Sequence, residues 1–96
     1  MGKQEIIKII RNRKPEIESH YGVQRLGLFG SYVREKQSKK SDIDILVTFN
    51  RDIDLFDFLD LREYLESQLH AKVDLVMESA LKPSIGNRIL SEVEYV

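Results

Sequence analysis

The chain has 96 residues, of which 42% are apolar and 32% charged, enough for one modest core and not two. Its 15 Lys and Arg nearly balance its 16 Asp and Glu, for a formal charge of −1. That balance excludes bulk electrostatic attraction to nucleic acid or an anionic membrane, so any anionic partner must be held at a local site. The absence of cysteine excludes a disulfide scaffold, a thiolate-bound zinc and a Cys nucleophile.

In chain order, Ile6, Ile7, Ile10 and Ile17, with Tyr21 a turn further on, recur at helical spacing. Pro15 predicts a break near Lys14 and a second short helix from Pro15, because the residue before a proline avoids the α region. Gly22 ends that helix. Val23 to Phe29 reads as a strand, and Gly30-Ser31 as a turn into a short helical stretch, Tyr32 to Glu35. Lys36 to Ser41 is a polar, basic loop. Ile43 to Phe49 alternates as a strand, with Ile43, Ile45, Val47 and Phe49 on one face.

Asp52 or Asp54 is placed to cap a helix carrying Leu55, Phe58, Leu59, Arg62, Leu65 and Leu69. Phe56 falls off that stripe; a wide core face is the expected reading, a partner surface the alternative. Lys72 to Met77 is a further strand. Ser84 is expected to cap a last helix with Ile85, Ile89 and Leu90, and Val93 to Val96 an edge strand. Strands alternating with helices predict an α/β (α+β) fold, a small mixed sheet flanked by helices, with parallel neighbours where a helix intervenes between Phe49 and Lys72. No apolar run reaches the ~18 residues of a membrane span, and the charged N-terminus is no signal peptide. The expectation is a single cytoplasmic domain over residues 1–96.

Asp42 and Asp44 carry the chemistry. At i and i+2 on a strand, both carboxylates project from one face, with Ile43 and Ile45 on the other. Like charges so placed raise each other's pKa unless a cation lies between them, and hard divalent cations prefer such oxygen ligands. Paired carboxylates of this kind can hold two metal ions for phosphoryl transfer. Asp74 stands between Val73 and Leu75; if its strand neighbours Ile43 to Phe49, it faces the same site. Gly30-Ser31, a turn opening a helix, offers free N–H groups and a hydroxyl to a phosphate, and Arg34 lies one turn on. Lys36, Lys39 and Lys40 read as a solvated loop. His20 and His70 lie away from the motif and read as helix-end residues.

Gly30-Ser31-Tyr32-Val33-Arg34 and Ser41-Asp42-Ile43-Asp44-Ile45-Leu46-Val47, separated so that ten residues lie between Ser31 and Asp42, form a combined pattern. It resembles the signature of the minimal nucleotidyltransferases of the DNA polymerase beta-like superfamily. The likeness extends over Arg25 to Phe29, Lys72 to Val76 and Leu81 to Val96. It implies that Gly30 and Ser31 bind nucleotide phosphates, that Asp42, Asp44 and Asp74 hold Mg²⁺ (two ions), and that ATP or another NTP is the donor. Asp74 would also help deprotonate the acceptor. It further implies pairing with a HEPN-type toxin encoded nearby, the chain acting as antitoxin by moving AMP to a toxin tyrosine. One departure stands out: the family commonly has Gly-Glu after the arginine, and this chain has Glu35-Lys36, which would cost about 1 kcal/mol if the position is left-handed. The leading expectation is therefore an AMP-transferring enzyme acting on a partner protein; the alternative is an antitoxin that neutralises its partner by contact alone.

Overall fold

The computed structural model describes residues 1–96. Helix α1 spans Lys3–Tyr21, followed by strand β1 (Val23–Phe29), a single 3₁₀ turn at Gly30–Tyr32, and strand β2 (Ile43–Phe49). Helix α2 (Leu55–Leu69), strand β3 (Val73–Met77), a 3₁₀ turn (Glu78–Ala80), helix α3 (Pro83–Glu92) and strand β4 (Glu94–Tyr95) complete the chain. The sheet order is β3-β2-β1-β4. β2 and β3 are parallel, joined across α2, while β1 is antiparallel to both β2 and β4. This is the mixed, helix-flanked α+β architecture expected from the alternation of elements.

The expected break at Pro15 does not occur: α1 is one helix. Ile6, Ile10 and Ile17 form a single buried seam across the proline, whereas Pro15 itself faces solvent. The N–H that proline lacks is thus on the wet side, and packing of the seam outweighs the local preference. Gly22 closes α1 in the left-handed region at φ +68°. Asp54 caps α2 in a capping box, its side chain accepting from Asp57 N–H at 2.8 Å while Asp57 Oδ2 accepts from Asp54 N–H at 3.3 Å. α3 starts one residue before the expected Ser84 cap, with Pro83 at its first position and no side-chain cap.

Alternation on the strands divides the molecule. Leu26 and Leu28 of β1, Ile43, Ile45 and Val47 of β2, and Val73 and Leu75 of β3 face α1 and α2, meeting Ile6, Ile10, Ile17, Leu61, Leu65 and Leu69. A bulge between Val23 and Arg25 lets Val23 join the same cluster despite its odd spacing. The opposite face carries Phe29 and Leu46, covered by Ile89 of α3. The α2 stripe differs from expectation at its start: Leu55 and Phe56 are 66% and 76% exposed, while Phe58 packs against the core and the fully buried seam runs through Leu61, Leu65 and Leu69. Ile85 and Leu90 of α3 are likewise exposed. No helix is long and apolar enough to cross a membrane.

Leu61→Ala, at a fully buried position, is expected to lower unfolding free energy by roughly 2–5 kcal/mol. Phe56→Ala should change it by less than about 0.5 kcal/mol. Urea titrations of both variants check the pair.

Candidate active site

The site forms where β1 ends and β2 and β3 begin. Asp44, second in β2, is paired with Phe29 on one side and with Asp74 on the other. Registered residues on adjacent strands share a face, with strands roughly 4.8 Å apart. The carboxylates of Asp44 and Asp74 therefore stand side by side on the face away from α1 and α2. Asp42 precedes β2 by one residue and is exposed; Ile43 N–H donates to Lys72 C=O at 2.9 Å, continuing the β2–β3 ladder at that point. The crossover through α2 is what brings Asp74, thirty positions after Asp44, into contact with it.

The electrostatics follow from this crowding. Burial pushes the Asp44 carboxyl up to about 6, aided by the charge of Asp74, a hydrogen bond to Asp74 and the charge of Asp42; Arg34 pulls the other way. Asp42 and Asp74 act on Asp44 without the three closing around a point: no group of three or more acidic, His or Cys side chains is gathered tightly enough to hold a metal ion by itself. Mg²⁺ commonly retains waters and takes substrate phosphates as further ligands, so an open set of carboxylate oxygens is compatible with it.

Gly30 adopts φ +80°, and a Cβ there would collide with Asp44 Oδ2. Glycine is required twice over, by backbone conformation and by the closeness of the carboxylate. The expected helix at Tyr32 to Glu35 is instead the 3₁₀ turn Gly30–Tyr32 running into a turn through Glu35. Glu35 stops it, taking φ +57°, while Lys36 N–H donates to Ser31 C=O at 2.9 Å. The departure from the Gly-Glu pattern thus falls on a left-handed residue. Ser31 is half-buried beside Gly30, and Arg34 is exposed on the same turn.

Two residues of this region had no local signal. Glu92, at the end of α3, accepts from Gly30 N–H at 3.1 Å and from Arg34 Nη1 at 3.0 and 3.1 Å. His70 does end a helix, in the left-handed region at φ +52°. It is not remote from the motif, however: with Tyr32, Lys39, Lys40, Ser41, Asp42 and Lys72 it lines an open cleft of about 430 Å³, to which Asp42 contributes and Asp44 and Asp74 do not. Lys36 does not line that cleft. Another concavity, about 410 Å³ between Val47, Phe49, Arg51 and Met77, lies at the far end of β2 and lacks a carboxylate pair.

Residues 4–96 match the family model described as a nucleotidyltransferase domain. The chain belongs to the nucleotidyltransferase domain family. It is 46% identical over 93 residues to the protein adenylyltransferase MntA of Thermococcus cleftensis, covering 97% of this chain and 94% of that protein. A solved structure assigned as a minimal nucleotidyltransferase superposes with a TM-score of 0.82 at 31% identity, over 98% of this chain and 95% of that one. A toxin–antitoxin structure with AMP-PNP gives 0.70 at 28% identity, over 99% and 72%. A complex of the tri-AMPylated Shewanella oneidensis HEPN toxin with its MNT antitoxin gives 0.60 at 27% identity, over 96% and 66%. The enzyme class is thereby nucleotidyltransferase, in the minimal form.

Asp44 has a folded pKa above its ordinary 3.8, so the folded state holds the proton more tightly and its stability falls as pH rises between about 4 and 6. Asp44→Asn removes that penalty: the variant should melt above wild type at pH 7–8, with the difference vanishing towards pH 4, as read from thermal melts across pH. Glu35→Gly relieves a left-handed non-glycine residue and should raise stability by about 1 kcal/mol in chemical denaturation.

Proposed function

We propose that the chain transfers AMP from ATP to a hydroxyl of a HEPN-type partner protein, and so acts as the antitoxin of that pair. The observation that carries the reading is the registered Asp44–Asp74 pair set against the Gly30-Ser31 turn. It is supported by the adenylyltransferase named among the relatives and by the AMPylated HEPN toxin in one structural neighbour.

In this reading Gly30 and Ser31 receive the nucleotide phosphates through a backbone N–H and a hydroxyl, and Arg34 adds a cationic fork suited to phosphate oxygens. Asp42, Asp44 and Asp74 would hold Mg²⁺, two ions in the full complement; their crowding, which holds the Asp44 proton tightly, is relieved when a cation joins them. When bound, Mg²⁺ supplies neutralisation of the charge on the transferring phosphoryl group. The acceptor hydroxyl oxygen forms a bond to the α-phosphorus, the bond from that phosphorus to the pyrophosphate oxygen breaks, and the hydroxyl proton passes to Asp74. The partner supplies the acceptor. The Lys39, Lys40 and Lys72 side of the cleft gives an anionic nucleotide a favourable approach.

A second reading, neutralisation by contact alone, draws on Leu55 and Phe56, adjacent apolar side chains left exposed at the start of α2.

Incubation with Mg²⁺, ATP labelled in its α-phosphate and a purified HEPN-type partner should label the partner. Asp42→Ala/Asp44→Ala should reduce labelling by about a hundredfold or more. Neutralisation of the partner that persists in the double variant without label would replace catalysis with the contact reading.

A further inference from the structure

Glu92 takes no part in the chemistry proposed above, yet its contacts are made with two of the groups assigned there to the nucleotide. It stands in the last turn of α3, where a carboxylate opposes the negative end of the helix dipole, and no basic residue shares that turn. What holds it lies just past the end of β1: Gly30 N–H donates to Oε2 at 3.1 Å, and Arg34 Nη1 donates to Oε1 at 3.1 Å and Oε2 at 3.0 Å. The Glu92 side chain is 19% exposed, that of Arg34 44%. Carboxylate and phosphate oxygens compete for the same donors, an N–H and a guanidinium.

We propose that Glu92 is an autoinhibitory carboxylate: it occupies a phosphate subsite in the nucleotide-free chain, and a triphosphate must displace it to reach Gly30 and Arg34. This rests on the reading of those two residues as phosphate donors. Displacement calls for rotation of the Glu92 side chain and not for loss of α3. The backbone beyond it is pinned by the pairing of β4 with Gly27 and Leu28, by Val96 N–H donating to Leu26 C=O at 2.8 Å, and by the Lys3–Glu94 ion pair at 3.2 Å. With Glu92 in place, an incoming triphosphate meets its charge in addition to those of Asp42, Asp44 and Asp74. With Glu92 withdrawn, Arg34 is freed to turn to the phosphates. Nucleotide affinity is thereby held below what the donors could deliver, and any contact that draws Glu92 aside tightens binding.

The test is equilibrium binding of AMP-PNP and of inorganic tripolyphosphate, each with Mg²⁺, to the full chain and to Glu92→Gln, Glu92→Ala, Arg34→Ala and the Arg34→Ala/Glu92→Ala double variant. Both Glu92 variants are expected to bind about tenfold tighter than wild type, within the range of ordinary coupling between sites. Arg34→Ala should lose more affinity in the Glu92→Ala background than in the wild-type one. Glu92→Gln retains an acceptor for Gly30 N–H and guards against a folding defect, which circular dichroism melts would reveal. Equal or weaker binding by folded Glu92 variants, while Arg34 still matters, overturns the competition and makes Glu92 a brace for the turn. If no protein binds either probe, or Arg34→Ala is silent in the Glu92→Ala background, the phosphate-donor reading itself fails.

Discussion

Two carboxylates held side by side on neighbouring parallel strands, Asp44 against Asp74, set the terms for the rest of the molecule. The arrangement is unfavourable in itself: burial, and after it the neighbouring charge of Asp74, pushes the Asp44 carboxyl up to about 6. It persists because the same register places Ile43, Ile45 and Val47 beside Val73, Leu75 and Met77 on the opposite face, where α1 and α2 cover them. A slip of one residue would turn the acids into the core and the isoleucines into solvent, so burial on one face enforces repulsion on the other. Gly30 completes the constraint, since any side chain there would meet the Asp44 carboxylate.

The two faces of the sheet are accordingly unequal. One is sealed by two long helices; the other is covered only around Phe29 and Leu46, where Ile89 of α3 packs. The uncovered end holds Asp44, Asp74 and the glycine turn. α3 reaches this end through Glu92, and β4 secures it by pairing with the same strand that delivers Gly30. A short chain thus joins its last helix to its candidate phosphate-binding turn, which gives the C-terminal segment a role in the site beyond closing the fold.

Several elements were readable residue by residue. The alternation of Ile43 to Phe49, the capping residues of α2 and the left-handed close of α1 at Gly22 each have a local physical cause and formed where expected. Other features went against local expectation for tertiary reasons. Pro15 sits within α1 because the seam of Ile6, Ile10 and Ile17 outweighs it on the far side. Leu55 and Phe56 lie outside the core because the face of α2 that packs inward is the one carrying Phe58, Leu61, Leu65 and Leu69. His70, forty positions after Gly30 along the chain, lines a cleft with Asp42.

The amino-acid sequence alone determined the strands, the α2 helix and the glycine turn ahead of the acids, because each is encoded by periodicity or by a residue's own backbone freedom, and it raised Asp42 and Asp44 as acids at the start of β2. It raised Asp74 only on the condition that β3 neighbours β2. Tertiary structure decided that condition, and it alone placed Glu92 on Gly30 and Arg34. The reason is physical: a contact 62 positions apart depends on how α3 crosses the sheet, which is a matter of packing between elements and not of any pattern within one.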